Sequence, residues 1–347
     1  MQEARPEETT FLYACAKLFL STKHVDVDLL QQLLDKATEL KDAFVLRQVA
    51  SVAIARSATD EVHGELKALF LRALTQLTEL KDANWVREIW FRDEAKEIVA
   101  DLSPKERSDV LKNLRLLAQI DYQAEEVLAV IAEREPRDVV EFFCARLYEP
   151  DKHAQTLAEK EGVEYEELPF QFHKLQDPLS NDPKMVVQKV LDCYRKDSSL
   201  FEFRGAKLLQ AIFPQFSETF QGALVRLVRD GSDAELDFVA GVLRAYSGEA
   251  FINPVARELI KRLPSGSQLV TEVEIALQST GVVSGEYGMA EAYERKRLEV
   301  LDWLQDPDDR IRTFALKYIA EIEALRDSER ARAEESIALR KFKYGEK

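Results

Sequence analysis

The sequence predicts an all-α protein in which pairs of helices stack one after another as an α-solenoid, with one irregular insertion. From near residue 8 onward apolar residues recur at helical spacing, as at Phe11, Cys15 and Leu18. Gly and Pro are scarce, at 12 and 11 of 347 residues, which disfavours a β-rich fold. A short segment also recurs 40 residues later in the chain, which indicates internal repetition.

The recurring segment, Thr-Glu-Leu-Lys-Asp-Ala, occupies residues 38–43 and again residues 78–83. The flanking positions also match, since Arg47 corresponds to Arg87 at the same offset. A repeat of about 40 residues with two helices per unit is typical of HEAT and armadillo proteins. Each helix pair then hides its apolar face against the next pair. A chance match is the alternative, and the flanking matches disfavour it.

The repeated segment predicts a turn that is followed by a capped helix. Asp42 and Asp82 precede the next helices and can accept hydrogen bonds from their free amides. Arg47 and Arg87 lie five residues further on. We expect each arginine to reach an aspartate of the same or the next repeat, which would join the turns.

A motif near the C-terminus resembles the HEAT repeat more directly. Residues 303–315 contain Asp306-Pro307, then Ile311-Arg312, and then Ala315. This order resembles the turn and second helix of a HEAT unit, and the resemblance implies a solenoid of HEAT-like hairpins. Pro307 suits a first helical turn, where the missing amide is not needed.

Several positions predict where helices begin. Ser103 and Ser232 each precede a glutamate by three residues, which is the pattern of a capping box. Pro136 and Pro254 suit first helical turns. The last helix, from about residue 327, is highly charged. It predicts a polar cap on the array or a projecting arm.

An irregular stretch divides the chain into three predicted parts. Residues 149–183 contain several prolines and a glycine and lack helical spacing, so we expect an insertion or linker there. Residues 1–148 precede it as an N-terminal helical repeat array. Residues 184–347 follow it as a C-terminal HEAT-like array that ends in the charged helix.

Composition limits the possible functions. The formal net charge of −15 repels phosphate backbones and disfavours a general nucleic-acid binder. No stretch of about 18 apolar residues occurs, and the N-terminus lacks the form of a signal peptide, so we expect a cytoplasmic protein without membrane segments. Three widely spaced cysteines predict free thiols rather than disulfides or zinc ligands. They are Cys15, Cys144 and Cys193.

No motif for catalysis, cofactor binding or metal binding occurs in the sequence. The four histidines lack metal-ligand spacing, and neither a phosphate-binding glycine loop nor a nucleophile elbow is present. We therefore predict a protein that is not an enzyme and has no cofactor or metal. An enzyme with an unfamiliar site in the insertion is an alternative, because His153 and His173 lie there near Asp151 and Asp177.

Eight residues are candidates for contact with a partner. Trp85 and Trp90 suit either core packing or anchors on a concave binding face. Phe170 and Phe172 in the insertion suit either a partner-binding arm or pins that hold the loop on neighbouring helices. The basic candidates, which suit either a docking patch for an acidic partner or internal salt bridges, are Arg295, Arg310, Arg312 and Lys317.

These features predict a protein-binding scaffold, since a solenoid offers a long surface and no catalytic group accompanies it. Residues 281–288 and 331–346 are also similar to the HEAT-like C-terminal ends of large bacterial proteins, some of which belong to antiphage defence systems. That resemblance implies the sensing or target-recognising arm of a larger bacterial assembly. A nucleic-acid-binding solenoid that uses the basic candidates is a further alternative.

Overall fold

A computed structural model describes residues 6–21, 25–57, 62–88, 94–200 and 204–345. Over this part of the chain the structure contains nineteen α-helices and a few short 3₁₀ helices, with no β-strand. The all-α prediction is therefore confirmed. None of these helices is both long enough and apolar enough to cross a membrane.

The chain divides into two compact units, Met1–Lys189 and Val190–Lys347. The helices of the first unit are α1 Pro6–Ser21, α2 Val27–Leu40, α3 Ala43–Ser57, α4 His63–Glu79, α5 Trp85–Glu88, α6 Glu94–Ala100, α7 Pro104–Leu114, α8 Tyr122–Arg134, α9 Pro136–Tyr148, α10 Lys152–Glu161 and α11 Gln176–Ser180. The predicted insertion, residues 149–183, belongs to this unit. It contains α10 and α11, separated by a non-helical segment at residues 162–175, which we call the pinned loop.

The second unit begins within α12 Pro183–Lys196. Its other helices are α13 Ala206–Ile212, α14 Glu218–Asp230, α15 Asp233–Ala245, α16 Asn253–Arg262, α17 Gln268–Gln278, α18 Gly288–Glu299 and α19 Asp309–Tyr344, and a 3₁₀ helix, Leu301–Gln305, precedes α19. The charged C-terminal helix is longer than predicted. Residues 316–326 contain neither Gly nor Pro, so the helix that starts at the HEAT-like motif continues into the charged segment.

Most of the predicted helix starts are confirmed. Ser103 forms a capping box, and the amide of Ser232 donates over 2.8 Å to the glutamate three residues later. Pro136 is the first residue of α9, and Pro254 is the second residue of α16. Pro307 is the exception. It lies outside α19, because the aspartate that follows it caps that helix and moves the first turn further along the chain.

The two copies of the repeated segment form the same turn. Lys41 and Lys81 adopt the left-handed backbone conformation, with φ of 53° and 61°, and no other non-glycine residue in the described ranges does so. The next amide donates to a carbonyl oxygen five residues earlier, over 2.9 Å at Asp42 and 2.8 Å at Asp82. These bonds satisfy carbonyl groups that the ends of α2 and α4 would otherwise leave unpaired.

Aspartate and arginine side chains join successive turns, as predicted. Asp42 caps α3, and Asp82 accepts from the amide of Asn84 just before the short α5. Arg47 donates to Asp82 over 2.9 Å, and Arg87 donates to Asp121 over 3.0 Å. Asp121 in turn caps α8. Each arginine thus reaches the aspartate of the next turn, and we call the pairs Arg47–Asp82 and Arg87–Asp121 the Asp–Arg ladder.

Each unit has its own apolar core. In the first unit Phe70 and Phe143 are fully buried. In the second unit the rings of Phe213 and Phe220 stack with their centroids 4.1 Å apart. The cysteines are free thiols, as predicted, and Cys144 is buried within the first unit.

Candidate binding surface

Trp85, the described member of the predicted tryptophan pair, does not form a surface anchor. Trp85 is fully buried in the first unit, where its ring packs edge-on against Phe70 at 5.2 Å. Its indole N–H donates to Asn113 over 2.6 Å. Asn113 in turn donates to Thr78 and to the main-chain carbonyl of Asp82, so Trp85 belongs to the core beneath the second repeated turn. Trp90 lies outside the described residues.

Three of the four basic candidates bond within the second unit. Arg310 donates to the main-chain carbonyl of Lys261 over 2.8 Å. Arg312 donates to the main-chain carbonyl of Asp306 over 2.6 Å. Lys317 pairs with two glutamates, the nearer at 3.1 Å. Arg295 on α18 is exposed, and its guanidinium makes no hydrogen bond or ion pair with the described residues.

The two phenylalanines of the pinned loop have opposite environments. Phe172 is only 1% exposed and lies against Phe143 of α9, with the ring centroids 5.1 Å apart. Phe170, two residues earlier, is 98% exposed. Phe172 therefore fastens the loop to the core, while Phe170 projects from it. Phe172 thus has the pinning role considered for this pair, whereas contact of Phe170 with a partner stays a prediction.

A fully buried arginine holds the first half of the pinned loop. Arg146 of α9 is 0% exposed, and all its hydrogen bonds to described residues go to main-chain carbonyl oxygens. Leu117 accepts over 2.8 Å and Glu167 over 3.2 Å, and Glu166 accepts as well. The guanidinium also lies over the ring of Tyr165, 5.0 Å from its centroid. Arg146 thus ties the loop to the turn that follows α7.

The burial of Arg146 has an electrostatic consequence. Desolvation lowers the pKa of its guanidinium below the usual range, and the nearby Tyr165 and Glu167 partly oppose this effect. Arginine still keeps its proton, so a positive charge stays in the interior. Carbonyl dipoles and an aromatic face compensate that charge. Burial also raises the pKa of Tyr165.

A buried glutamate holds the other end of the pinned loop. Glu125 of α8 is 2% exposed, and one of its carboxylate oxygens accepts three main-chain N–H groups. The donors are His173 and Lys174, both over 2.6 Å, and Leu175 over 3.1 Å. Glu125 therefore binds, from a different helix, the amides of the three residues that lead into α11.

Arg146 and Glu125 together fix the loop with opposite charges. The cation binds carbonyl groups before Phe170, and the anion binds amide groups after it. The amide of Glu166 also donates to the carbonyl of Ala118 over 3.0 Å. The loop is thus held at both ends, and the exposed Phe170 lies between the two attachments. This arrangement presents an aromatic side chain on an ordered backbone.

A scan against models of known protein families finds no match to this chain, and a search of curated proteins also finds none.

Sequence reasoning missed Arg146 and Glu125, although both leave a signal. Arg146 lies three residues after Phe143 on the buried stripe of its helix, and Glu125 lies three residues before Leu128 on another. A charged residue within an apolar stripe indicates a buried polar contact. The sequence does not indicate which backbone groups supply that contact.

The histidines of the insertion do not come together with a metal-ligand set. His153 lies in the first turn of α10 and His173 in the pinned loop, and both are exposed. Among the described residues no group of three His, Cys, Asp or Glu side chains is placed to hold a metal ion.

A cleft of about 740 Å³ opens on the second unit, and the sequence did not predict it. Its walls come from α14, from the first half of α16 and from the 3₁₀ helix Leu301–Gln305 with the residues that follow it. Two ion pairs line it. Arg229 donates to Glu258 over 3.1 Å, and Arg257 pairs closely with the buried Asp306.

Both carboxylates of these pairs carry a negative charge at neutral pH. Burial alone would raise the pKa of Glu258, but hydrogen bonds from Lys261 and Arg229 outweigh it and lower the pKa. The pKa of Asp306 is lowered in the same way. There the opposing contacts are the amide of Asp308 and the guanidinium of Arg257. Each of the two pairs is therefore neutral in itself, and Lys261 adds one positive charge beside Glu258.

Proposed function

We propose that this chain is a non-catalytic protein-binding scaffold, built as a helical-repeat solenoid, that engages its partner through Phe170 on the pinned loop. The packing of the helices supports the solenoid. Within each unit the helix pairs with extensive contact are at most three helices apart along the chain, as for α4 with α7 and α16 with α19. Packing between near neighbours in the chain is the defining property of repeat arrays.

The repeated turns support the same proposal. Two segments with the same sequence adopt the same turn, and the Asp–Arg ladder connects each turn to the next. A connection that recurs between successive units is the nearest-neighbour interface on which a repeat array depends.

The pinned loop supports the binding role and carries it. An exposed phenylalanine leaves about 2 kcal/mol of favourable burial energy available to a partner. A loop that is already ordered has less conformational entropy to lose when it binds, which favours affinity. Buried aromatic anchors commonly dominate the energy of protein interfaces. Phe170, at 98% exposure between two buried attachments, meets these requirements in the free protein.

Comparative affinity capture tests this role. The intact chain and its Phe170→Ser variant serve as baits in a lysate of the organism that encodes the protein, with quantitative mass spectrometry as the readout. Phe342→Ser is the matched control, because Phe342 on α19 is also largely exposed, at 90%. We expect a partner recovered by the wild type and the control to fall about tenfold or more with Phe170→Ser. Equal recovery of every captured protein by all three baits would contradict the proposal.

A further inference from the structure

The cleft of the second unit has uncompensated negative charge at its edge. Arg229 and Arg257 pair with Glu258 and Asp306, and a third lining carboxylate, Glu299, pairs with Lys296, which leaves two lining carboxylates without a partner. These are Glu218, in the first turn of α14, and Asp302, in the 3₁₀ helix. Both are exposed, and neither carboxylate makes a hydrogen bond or an ion pair with the described residues. Groups that can only accept hydrogen bonds call for a ligand that donates them.

The two arginines of the cleft do not form a binding site for an anionic ligand. Arg229 already donates to Glu258. Arg257 donates to Asp306 and also forms an ion pair with Glu258 at 3.8 Å. An anionic ligand would have to displace these carboxylates and would also meet Glu218 at the edge. The charge distribution therefore disfavours anions and favours cations.

A glycine on the cleft wall gives a second, independent indication of a ligand. Gly222 lies in the interior of the 13-residue helix α14 and lines the cleft. A Cβ atom built there would meet no atom within 4 Å, so neither close packing nor backbone conformation requires glycine. Glycine in a helix interior destabilises the helix by roughly 0.5–1 kcal/mol relative to alanine. The absence of a side chain at Gly222 leaves open space in the cleft.

Gly222 and Glu218 also lie on the same face of α14. They are four residues apart, which places them one above the other on a helix. The open position therefore adjoins an unpaired carboxylate. Asp302, in the 3₁₀ helix that also lines the cleft, supplies the second carboxylate. A cleft of about 740 Å³ has the size of a typical ligand pocket and is large enough for a long side chain.

We propose that this cleft binds a basic peptide segment, with an arginine or lysine side chain in the space beside Gly222 and its charge near Glu218 and Asp302. The inference rests on the proposed binding role, because it assigns the segment to a protein partner. It concerns a different surface from Phe170 and is tested without any partner, so either proposal can fail while the other stands.

Isothermal titration calorimetry on the intact chain tests the cleft, with a blocked tri-arginine peptide as the probe and a blocked tri-glutamate peptide as its control. We expect the tri-arginine peptide to bind and the tri-glutamate peptide not to bind. Gly222→Tyr fills the open position and is expected to weaken binding about tenfold or more, whereas Gly222→Ala leaves it nearly unchanged. Since alanine and tyrosine both fit a helix, circular dichroism should show that both variants fold.

A charge variant gives a second measurement. The double change Glu218→Gln with Asp302→Asn is expected to raise the Kd for the tri-arginine peptide by about fivefold to tenfold. Glu334→Gln with Glu335→Gln is the matched control, since it removes two charges from exposed residues of α19 outside the cleft. An equal loss of affinity for the tri-arginine peptide in both double variants would overturn the proposal, because that loss would reflect net charge alone. Binding of free spermidine without binding of the peptide would overturn it as well.

Discussion

Arginine side chains connect separate backbone segments of the first unit, and the Asp–Arg ladder and the pinned loop show two different ways of doing so. In the Asp–Arg ladder, Arg47 and Arg87 meet carboxylates at partly exposed positions, and the pattern recurs from one turn to the next. At the pinned loop, Arg146 is fully buried and meets only carbonyl oxygens among the described residues. In the ladder each arginine cation pairs with an aspartate anion. At the pinned loop the cation of Arg146 binds the dipoles of main-chain carbonyl groups.

The difference lies in how much each contact contributes to stability. Ion pairs at a protein surface contribute about 0–1 kcal/mol, because water already solvates both partners. A buried charge is different, since removing it leaves its desolvated partners without hydrogen bonds, which costs about 1–3 kcal/mol for each such group. The ladder therefore repeats a weak connection, while Arg146 makes a single strong one.

The largest effect is expected for Arg146→Met. The substitution keeps the apolar part of the side chain but leaves at least three buried carbonyl groups without their donor. We expect the free energy of unfolding of the first unit to fall by about 3–5 kcal/mol, as measured by urea denaturation. Arg137→Met on the same helix is the control, because Arg137 is 63% exposed, and it should change stability by less than about 0.5 kcal/mol. Similar losses in both variants would contradict the comparison.

A smaller effect is expected for Glu125→Gln. The amide oxygen of glutamine can still accept the N–H groups of His173 and Lys174, but without the negative charge that strengthens those bonds. We expect a loss of about 1–2 kcal/mol in the same denaturation measurement. Glu126→Gln, at the adjacent half-buried position, should lose clearly less. An unchanged free energy of unfolding in Glu125→Gln would show that this carboxylate does not hold the loop.

The ladder should show a weaker coupling that depends on salt. In a double-mutant cycle of Arg47→Ala and Asp82→Asn, the asparagine can still accept from the amide of Asn84, so the cycle isolates the ion pair. We expect a coupling free energy of about 1 kcal/mol or less, and a smaller one in 1 M NaCl, where charges are screened beyond about 3 Å. The effect of Arg146→Met should change little with salt. If the Arg47–Asp82 coupling and the effect of Arg146→Met depended equally on salt, the distinction between an ion pair and a buried charge would be contradicted.

The smallest effect on stability is expected for Phe170→Ser. The ring of Phe170 is 98% exposed and packs against little of its own chain. We expect the free energy of unfolding to change by less than about 0.5 kcal/mol, measured by the same denaturation. Phe172→Ser should instead destabilise the first unit by about 3 kcal/mol or more, because Phe172 fills a buried position against Phe143. A large loss of stability with Phe170→Ser would remove the distinction between the two aromatic side chains.

What the sequence could predict was local or periodic. The all-α fold, the cap at Asp42, and the reach of Arg47 to the next turn all follow from spacing over a few residues or from the 40-residue repeat. The helix that runs from the HEAT-like motif to the C-terminus was divided in error. That segment lacks any breaking residue, and its charge alone suggested a separate element.

What the sequence could not predict depends on contacts between distant residues. Glu125 binds amides 48 to 50 positions away, and no periodic pattern brings them together. The same holds for Arg146 and the carbonyls of residues 166–167. Phe170 and Phe172 are chemically identical in the sequence, and only the fixed path of the loop decides which of them is buried. The cleft requires three separate elements to be placed before it exists.

The most direct test of the account is hydrogen exchange of the amides of His173, Lys174 and Leu175 in the intact native protein, resolved by NMR or mass spectrometry. The loop has no helical hydrogen bonds at these positions, so Glu125 is the acceptor that protects them. We predict that the three amides exchange as slowly as those of α8 and α9, and that Glu125→Ala makes them fast while the two helices stay protected. Exchange at the rate of an unstructured peptide in the wild-type protein would contradict the claim that the loop is held in place to present Phe170.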